Sequence, residues 1–427
     1  MKTLMFGWEF PPHIAGGLGT ACQGLTTGLA KQEVEVLFVM PHASGDEDQS
    51  SVQIINASDI EAFRSYKEID TFLEKVQFLR VDSTMVPYVA PEEYTHMMEG
   101  DVVQQREAWW SELGKKYTFS GTYGPNLMEE VARYAMVAAT IAASHTFDVI
   151  HAHDWLTYMA GIAAKRISGK PLVVHVHATE FDRSGENINR QVFDLEQRGM
   201  QEADKVIAVS HLTRNIVIQR YGIPPDKVET VHNGVDFSAR DAAAVERGVP
   251  DKIVTFLGRI TFQKGPEYFI EAAAKVLKRY SNVRFVMAGS GDMFHRSIRR
   301  VAKLGIADRF HFTGFLRGAD VQKMFAYSDV YVMPSVSEPF GISPLEAMRS
   351  NVPVIISKQS GVAEVLRHAI KVDFWDVNAM ADAMYGLLQY PALSQMAVRC
   401  GFEEVNSLQW EKAAAHVAQI YRDIVHH

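Results

Sequence analysis

The chain has 427 residues, 47% of them hydrophobic, 22% charged and 10% aromatic, which suits two or three globular domains and excludes a disordered or collagen-like chain. Lys and Arg number 43 against 51 Asp and Glu, a net charge of −8 at pH 7, so no general electrostatic attraction draws it to nucleic acid or an anionic membrane. Cys22 and Cys400 have no partners at metal-site spacing and read as reduced thiols of a cytoplasmic protein, and no apolar stretch reaches the roughly 18 residues of a membrane span.

Short apolar runs alternate with helical patterns, as in parallel sheets covered on both faces. The first half predicts strands at Thr3–Phe6, Val34–Val39, Val149–Ala152, Leu172–Val176, Lys205–Val209 and Val228–Val231. The second predicts them at Ile253–Leu257, Val283–Ala288, Phe310–Thr313, Val330–Met333 and Pro353–Ile356. A long aromatic insert from Asp82 to His145 breaks the even rhythm that a β/α barrel needs, so two doubly wound domains in tandem fit better. The break between them falls in Asp236–Asp251, after the turn His232-Asn233-Gly234.

In open parallel sheets ligands bind beyond the carboxyl ends of the strands. After the first strand, Gly16-Gly17-Leu18-Gly19 opens a helix, either as a phosphate-favouring turn or as a plain strand-to-helix connection. His151 and His153, two apart, share one strand face, and His175 with His177 repeats the pattern. Such pairs suit a metal, but no compact carboxylate or cysteine set joins them, so they read as hydrogen-bonding groups and no metal is expected. Arg259 and Lys264 lie on one loop, spaced to converge on a diphosphate, and Gly289 follows the next strand where backbone can approach a nucleotide. Glu338 precedes Pro339-Phe340-Gly341-Ile342, and Glu346 follows in Ser343-Pro344-Leu345-Glu346, which also fits a capping box with Pro at the first helical position.

Together these motifs resemble the retaining, nucleotide-sugar-dependent glycosyltransferases of the GT-B fold, in particular glycogen and starch synthase-like enzymes and glycosyltransferase family 4. The resemblance implies an α/β protein of two Rossmann-like domains across a cleft: an acceptor domain over 1–240, a donor domain over 250–400, and a helix in 401–427 that packs back on the first domain. It implies glucose transfer from UDP-glucose or ADP-glucose to an α-glucan, with no separate cofactor. The alternative is a family 4 enzyme acting on a lipopolysaccharide, capsule or small glycoside acceptor.

By the same resemblance Arg259, Lys264 and the backbone of Gly341 and Ile342 would hold the diphosphate, with Gly289 and Phe340 beside the nucleotide and Gly16 and Gly17 closing over the phosphates. Glu346 would hold the ribose, while Glu338 and His153 would reach the transferred sugar. Ser360-Gly361 resembles a further donor-side turn. Starch-type enzymes carry a lysine two residues before the Gly-Gly pair; Ile14 stands there, leaving the donor base open. Trp109, Trp110, Tyr117 and Tyr123 offer either flat faces for sugar rings or insert core.

Overall fold

A computed structural model of the chain describes residues 1–13, 16–65, 67–68, 71–72, 113–124, 126–235 and 248–425. Ile14, Trp109, Trp110 and Asp236 lie outside these residues. Two parallel sheets form the frame. The first contains β1 (Lys2–Phe6), β2 (Glu35–Met40), β3 (Gln53–Asn56), β4 (Val149–His153), β5 (Leu172–Val176), β6 (Lys205–Ala208) and β7 (Val228–Thr230), in the order β3-β2-β1-β4-β5-β6-β7. The second contains β8 (Lys252–Leu257), β9 (Val283–Ala288), β10 (Phe310–Gly314), β11 (Val330–Met333), β12 (Val354–Ser357) and β13 (Ile370–Val372), in the order β10-β9-β8-β11-β12-β13. Both carry the doubly wound order that reverses direction between their first and fourth strands.

The central strands read as continuous apolar runs because helices cover both faces. Every residue of β4 and β5 is buried, histidines included. A fully buried Val or Ile contributes roughly 1.5–3 kcal/mol, so these strands anchor the first core. On one face of the first sheet α1 (Gly17–Ala30) packs against α7 (Trp410–Val425), which buries Trp410, Ala413, Ala414, Val417, Ala418 and Tyr421 at helical spacing. The chain's last helix thus returns from the second sheet to the first.

The strand reversal points place the functional loops. In the first sheet the loops after β1 and β4 emerge side by side, since Phe6 pairs with Ala152 and His153 is the next residue. In the second sheet the neighbours are the loops after β8 and β11, where Thr255 pairs with Tyr331. No described helix is long and apolar enough to cross a membrane.

Candidate functional site

The charged half of the site is built on the second sheet. Beyond β8, Ile260 donates its N–H to Ser290 O at 2.8 Å and accepts from Met293 N–H at 3.0 Å, so the loop after β9 clamps the loop after β8. A Cβ on Gly289, at φ +146°, would lie 1.9 Å from Gly258 O, so this glycine has a packing reason within the protein. The loop then turns through Phe262–Lys264 into α5 (Pro266–Leu277), and Val336 N–H bonds Gln263 O at 2.9 Å. That tie brings the two loops together. Lys264 Nζ donates to a carboxylate oxygen of Glu338, and Ser335 Oγ donates to the same oxygen at 3.1 Å. Glu338 is 6% exposed. Arg259, at the other end of the loop, is exposed and makes only a long bond of 3.4 Å to Gln263 Oε1.

Gly341 adopts φ +98°, in the left-handed range that favours glycine. It turns the chain into α6 (Ser343–Arg349) while Phe340 stays buried. Ile342 packs against hydrophobic clusters of both halves of the molecule. The expected capping box does not form. Ile342, not Ser343, is the N-cap of α6 and no side chain caps it, so Pro344 is the second helical residue rather than the first. Ser343 instead meets the Tyr331 hydroxyl at 2.7 Å. Glu346, freed of the capping role, has its carboxyl pushed up by burial, with Arg349 partly offsetting.

The half built on the first sheet is chemically different. Gly16 and Gly17 begin α1 with no side-chain cap and no acid in the first turn, and a Cβ on either would meet nothing within 4 Å. Glu9 is buried and accepts the N–H of Gly19 at 3.1 Å. Along β4 and β5, and just past the end of β5, four imidazoles form a row. His153 pairs with His175 in register, His151 stacks on His153 with centroids 4.4 Å apart, and His175 stacks on His177 at 4.3 Å. Burial pushes His151 and His177 down to about 3 and holds His153 and His175 well below the ordinary value, so all four are neutral at pH 7.

Asp154, the residue after His153, has φ +57° and ψ 169°, a conformation almost reserved for glycine that costs on the order of 1–3 kcal/mol. Its carboxylate holds the strained turn by accepting from His177 N–H at 2.7 Å and Ala178 N–H at 3.3 Å. Burial raises its pKa to about 7 despite Arg183 and those amides. Arg183, on α3 (Glu180–Ser184), stays charged because Glu196, Asp154 and Glu180 outweigh the opposing cost of its burial. Sequence reading passed over Asp154, Arg183 and their partners; only the Asp directly after the HxH run was visible as a signal.

Side chains bridge the two halves. Ser337 Oγ donates to Asp182 Oδ1 at 2.6 Å. Glu364 accepts the N–H groups of His211 and Leu212, at 2.8 and 2.7 Å, at the start of α4 (His211–Tyr221), and meets His232 Nε2 at 2.8 Å. A Cβ on Gly361 would lie 2.4 Å from Ser210 Cβ, so Ser360-Gly361 forms part of this contact between the halves. Of the insert aromatics, Tyr117 is core at 6% exposed, whereas Tyr123 is 53% exposed and feels the charges of Glu9, Asp154 and Arg259. Lys264 and Glu338 are thus joined on the second sheet, Ser337 beside them ties that sheet to Asp182 of the first, and His153 is buried at the end of β4.

Two doubly wound sheets joined in this manner, with functional loops at both reversal points, make a GT-B architecture. The family described as "Glycosyltransferase Family 4" matches residues 100–239, and "Glycosyl transferases group 1" matches residues 238–401. An uncharacterized glycosyltransferase of Methanocaldococcus jannaschii is 30% identical over 386 residues, covering 87% of this chain and 84% of the relative. The glycogen synthase of Mycobacterium tuberculosis is 26% identical over 439 residues, 99% of this chain and 94% of that one. The catalytic domain of starch synthase IV from Arabidopsis thaliana, solved bound to ADP and acarbose, superposes with a TM-score of 0.67 at 14% identity, over 100% of this chain and 99% of that one. The chain belongs to the GT-B glycosyltransferases and resembles the glycogen and starch synthases among them.

Proposed function

We propose that this glycosyltransferase moves glucose, with retention of configuration, from a nucleoside diphosphate glucose to an α-glucan in the cytoplasm. The observation that carries the reading is the Lys264–Glu338 pair, set with exposed Arg259 on the loops of the second sheet. In a group transfer from a diphosphate, negative charge grows on the leaving oxygen while positive charge grows on the sugar ring. Cations aimed at the first and a carboxylate near the second stabilise both. Arg259, Lys264 and the backbone of Gly341 and Ile342 take the diphosphate, Gly16 and Gly17 close over it, and Gly289 and Phe340 lie beside the nucleotide. Glu346 takes the ribose hydroxyls. Glu338 and the unpartnered Nε2 of His153 address hydroxyls of the transferred sugar.

A neutral imidazole suits that last task, because it can accept or donate one hydrogen bond without adding a second cation near an oxocarbenium-like centre. The leaving phosphate oxygen can take the acceptor's proton, so the reading needs positioning and electrostatics and no separate cofactor. A glycogen synthase that this chain matches nearly end to end supports the choice of glucan, as does a structural neighbour holding ADP with acarbose.

The test is release of nucleoside diphosphate from UDP-glucose and from ADP-glucose, each with and without glycogen or maltooligosaccharide. Glucan-dependent release with one donor is the expected result, with the α-configured product identified by glucosidase digestion. Release from neither donor under any acceptor condition overturns the glucan reading.

A further inference from the structure

Among the described residues the imidazole row gathers several buried ring nitrogens without a hydrogen-bond partner, of which the proposed reaction uses only His153 Nε2. His151 Nε2, His153 Nε2 and both ring nitrogens of His175 have no hydrogen-bond partner, although all three residues are at most 2% exposed. An unpartnered buried polar atom costs about 1–3 kcal/mol, and several at one place call for a ligand that satisfies them together. Their placement follows from the sheet: alternate residues of β4 and β5 share a face, and the two strands are neighbours in register.

We propose that His151, His153 and His175 form a site for one borderline transition-metal dication of the zinc type. One ring nitrogen from each residue lies within 4.8 Å of the others, and the stacked rings must turn for the set to reach the bond lengths of about 2 Å that such an ion takes with imidazole. The hydrogen bonds of the row orient the donors. With His153 Nδ1–H given to His177 Nε2 at 2.9 Å, the Nε2 lone pair is left for the ion. In the same way His151 Nδ1–H given to the Tyr421 hydroxyl, on the helix returning from the second sheet, frees His151 Nε2. Each ring binds as a neutral imidazole and loses no proton. Half-buried His177, whose Nε2 accepts the His153 Nδ1–H, closes the row at its less buried end.

Binding does not depend on the glucosyltransfer reading. An effect on turnover does rest on it, since an ion held by His153 Nε2 withdraws that nitrogen from the donor sugar and makes the site inhibitory. Chelator-stripped full-length protein is titrated with Zn²⁺ against a chromophoric chelator of micromolar affinity, and with Co²⁺ for its visible ligand-field band. The expected result is one tightly held equivalent in wild type and at least tenfold weaker binding in His175→Leu. Both proteins carry the same terminal His426 and His427, so the difference between them reads the buried row alone. His175→Leu removes a side chain with no hydrogen bond to lose and is expected to fold; His175→Gln, closer in size, is the second variant. Equal Zn²⁺ binding in wild type and in a folded His175 variant, or no binding in wild type, overturns the site. If transfer activity is present, Zn²⁺ at one equivalent lowers it in wild type and not in His175→Leu; if activity is absent, the binding result still stands.

Discussion

The two reversal points of this molecule have the same topology and opposite chemistry. The first sheet presents buried, neutral imidazoles and two bare glycines, while the second presents a lysine and a glutamate in contact with an arginine alongside. Identical strand order therefore fixes where ligands meet the chain and leaves what they meet to the residue after each strand. In the function proposed above, a diphosphate would seek the charged loops and the uncharged side would hold the sugar without competing for the phosphate.

The largest effects are expected where that division is broken. Lys264→Ala and Arg259→Ala should each lower kcat by about 10²-fold or more, the scale of a single electrostatic group at a transition state. Their stabilities should separate them. Lys264 is paired with a carboxylate only 7% exposed, and removing one member of such a pair costs about 3 kcal/mol or more. Arg259 is exposed, and its loss should stay within roughly 0.5 kcal/mol by urea denaturation. Equal stability of the two variants would remove the distinction between a structural cation and a free one.

A second expectation concerns the neutral side. Burial raises the Asp154 pKa to about 7, so between the ordinary carboxylate range and pH 7 the folded protein binds more protons than the unfolded chain. Stability then falls as pH rises through that window, by on the order of 2 kcal/mol between pH 5 and 8. Asp154→Asn keeps an oxygen for the His177 and Ala178 amides and removes the charge, so its stability should be nearly flat over the same range. A wild-type protein whose stability also stays flat would show that Arg183 neutralises Asp154 fully.

The sheets were legible because central parallel strands are buried on both faces and appear as apolar runs; the predicted strands at Leu172–Val176, Val283–Ala288 and Val330–Met333 coincide with β5, β9 and β11. The edge strands β3 and β13 escaped notice, being short and carrying polar residues such as Gln53, Asn56 and Lys371. Loop residues at strand exits were legible by type. Their partners were not, because Ser337 meets Asp182 and Glu338 meets Lys264 across long stretches of chain. Local motif reading also erred where a tertiary partner prevailed over a local one: Ser343 bonds Tyr331 rather than capping its helix. The HxH repeats were visible singly, but only strand adjacency joins them into a row.

The smallest expected effect tests how the two halves are held together. Glu364 belongs to the second half, yet it accepts the first N–H groups of α4 in the other and meets His232. It acts there as a helix cap supplied from another domain, reinforced by the favourable position of a carboxylate at a helix N-terminus. Burial opposes its ionisation, but His232 and the two amides outweigh that and hold its pKa below the ordinary value. A depressed carboxyl contributes its stability above the unfolded pKa and loses it as pH falls through the folded one, so the contact should weaken in acid below about pH 4. Glu364→Ala should cost about 1 kcal/mol at pH 7 and much less at pH 3, measured by denaturation with the double variant Glu364→Ala, His232→Ala closing the cycle. A cost independent of pH would mean that Glu364 serves by packing alone.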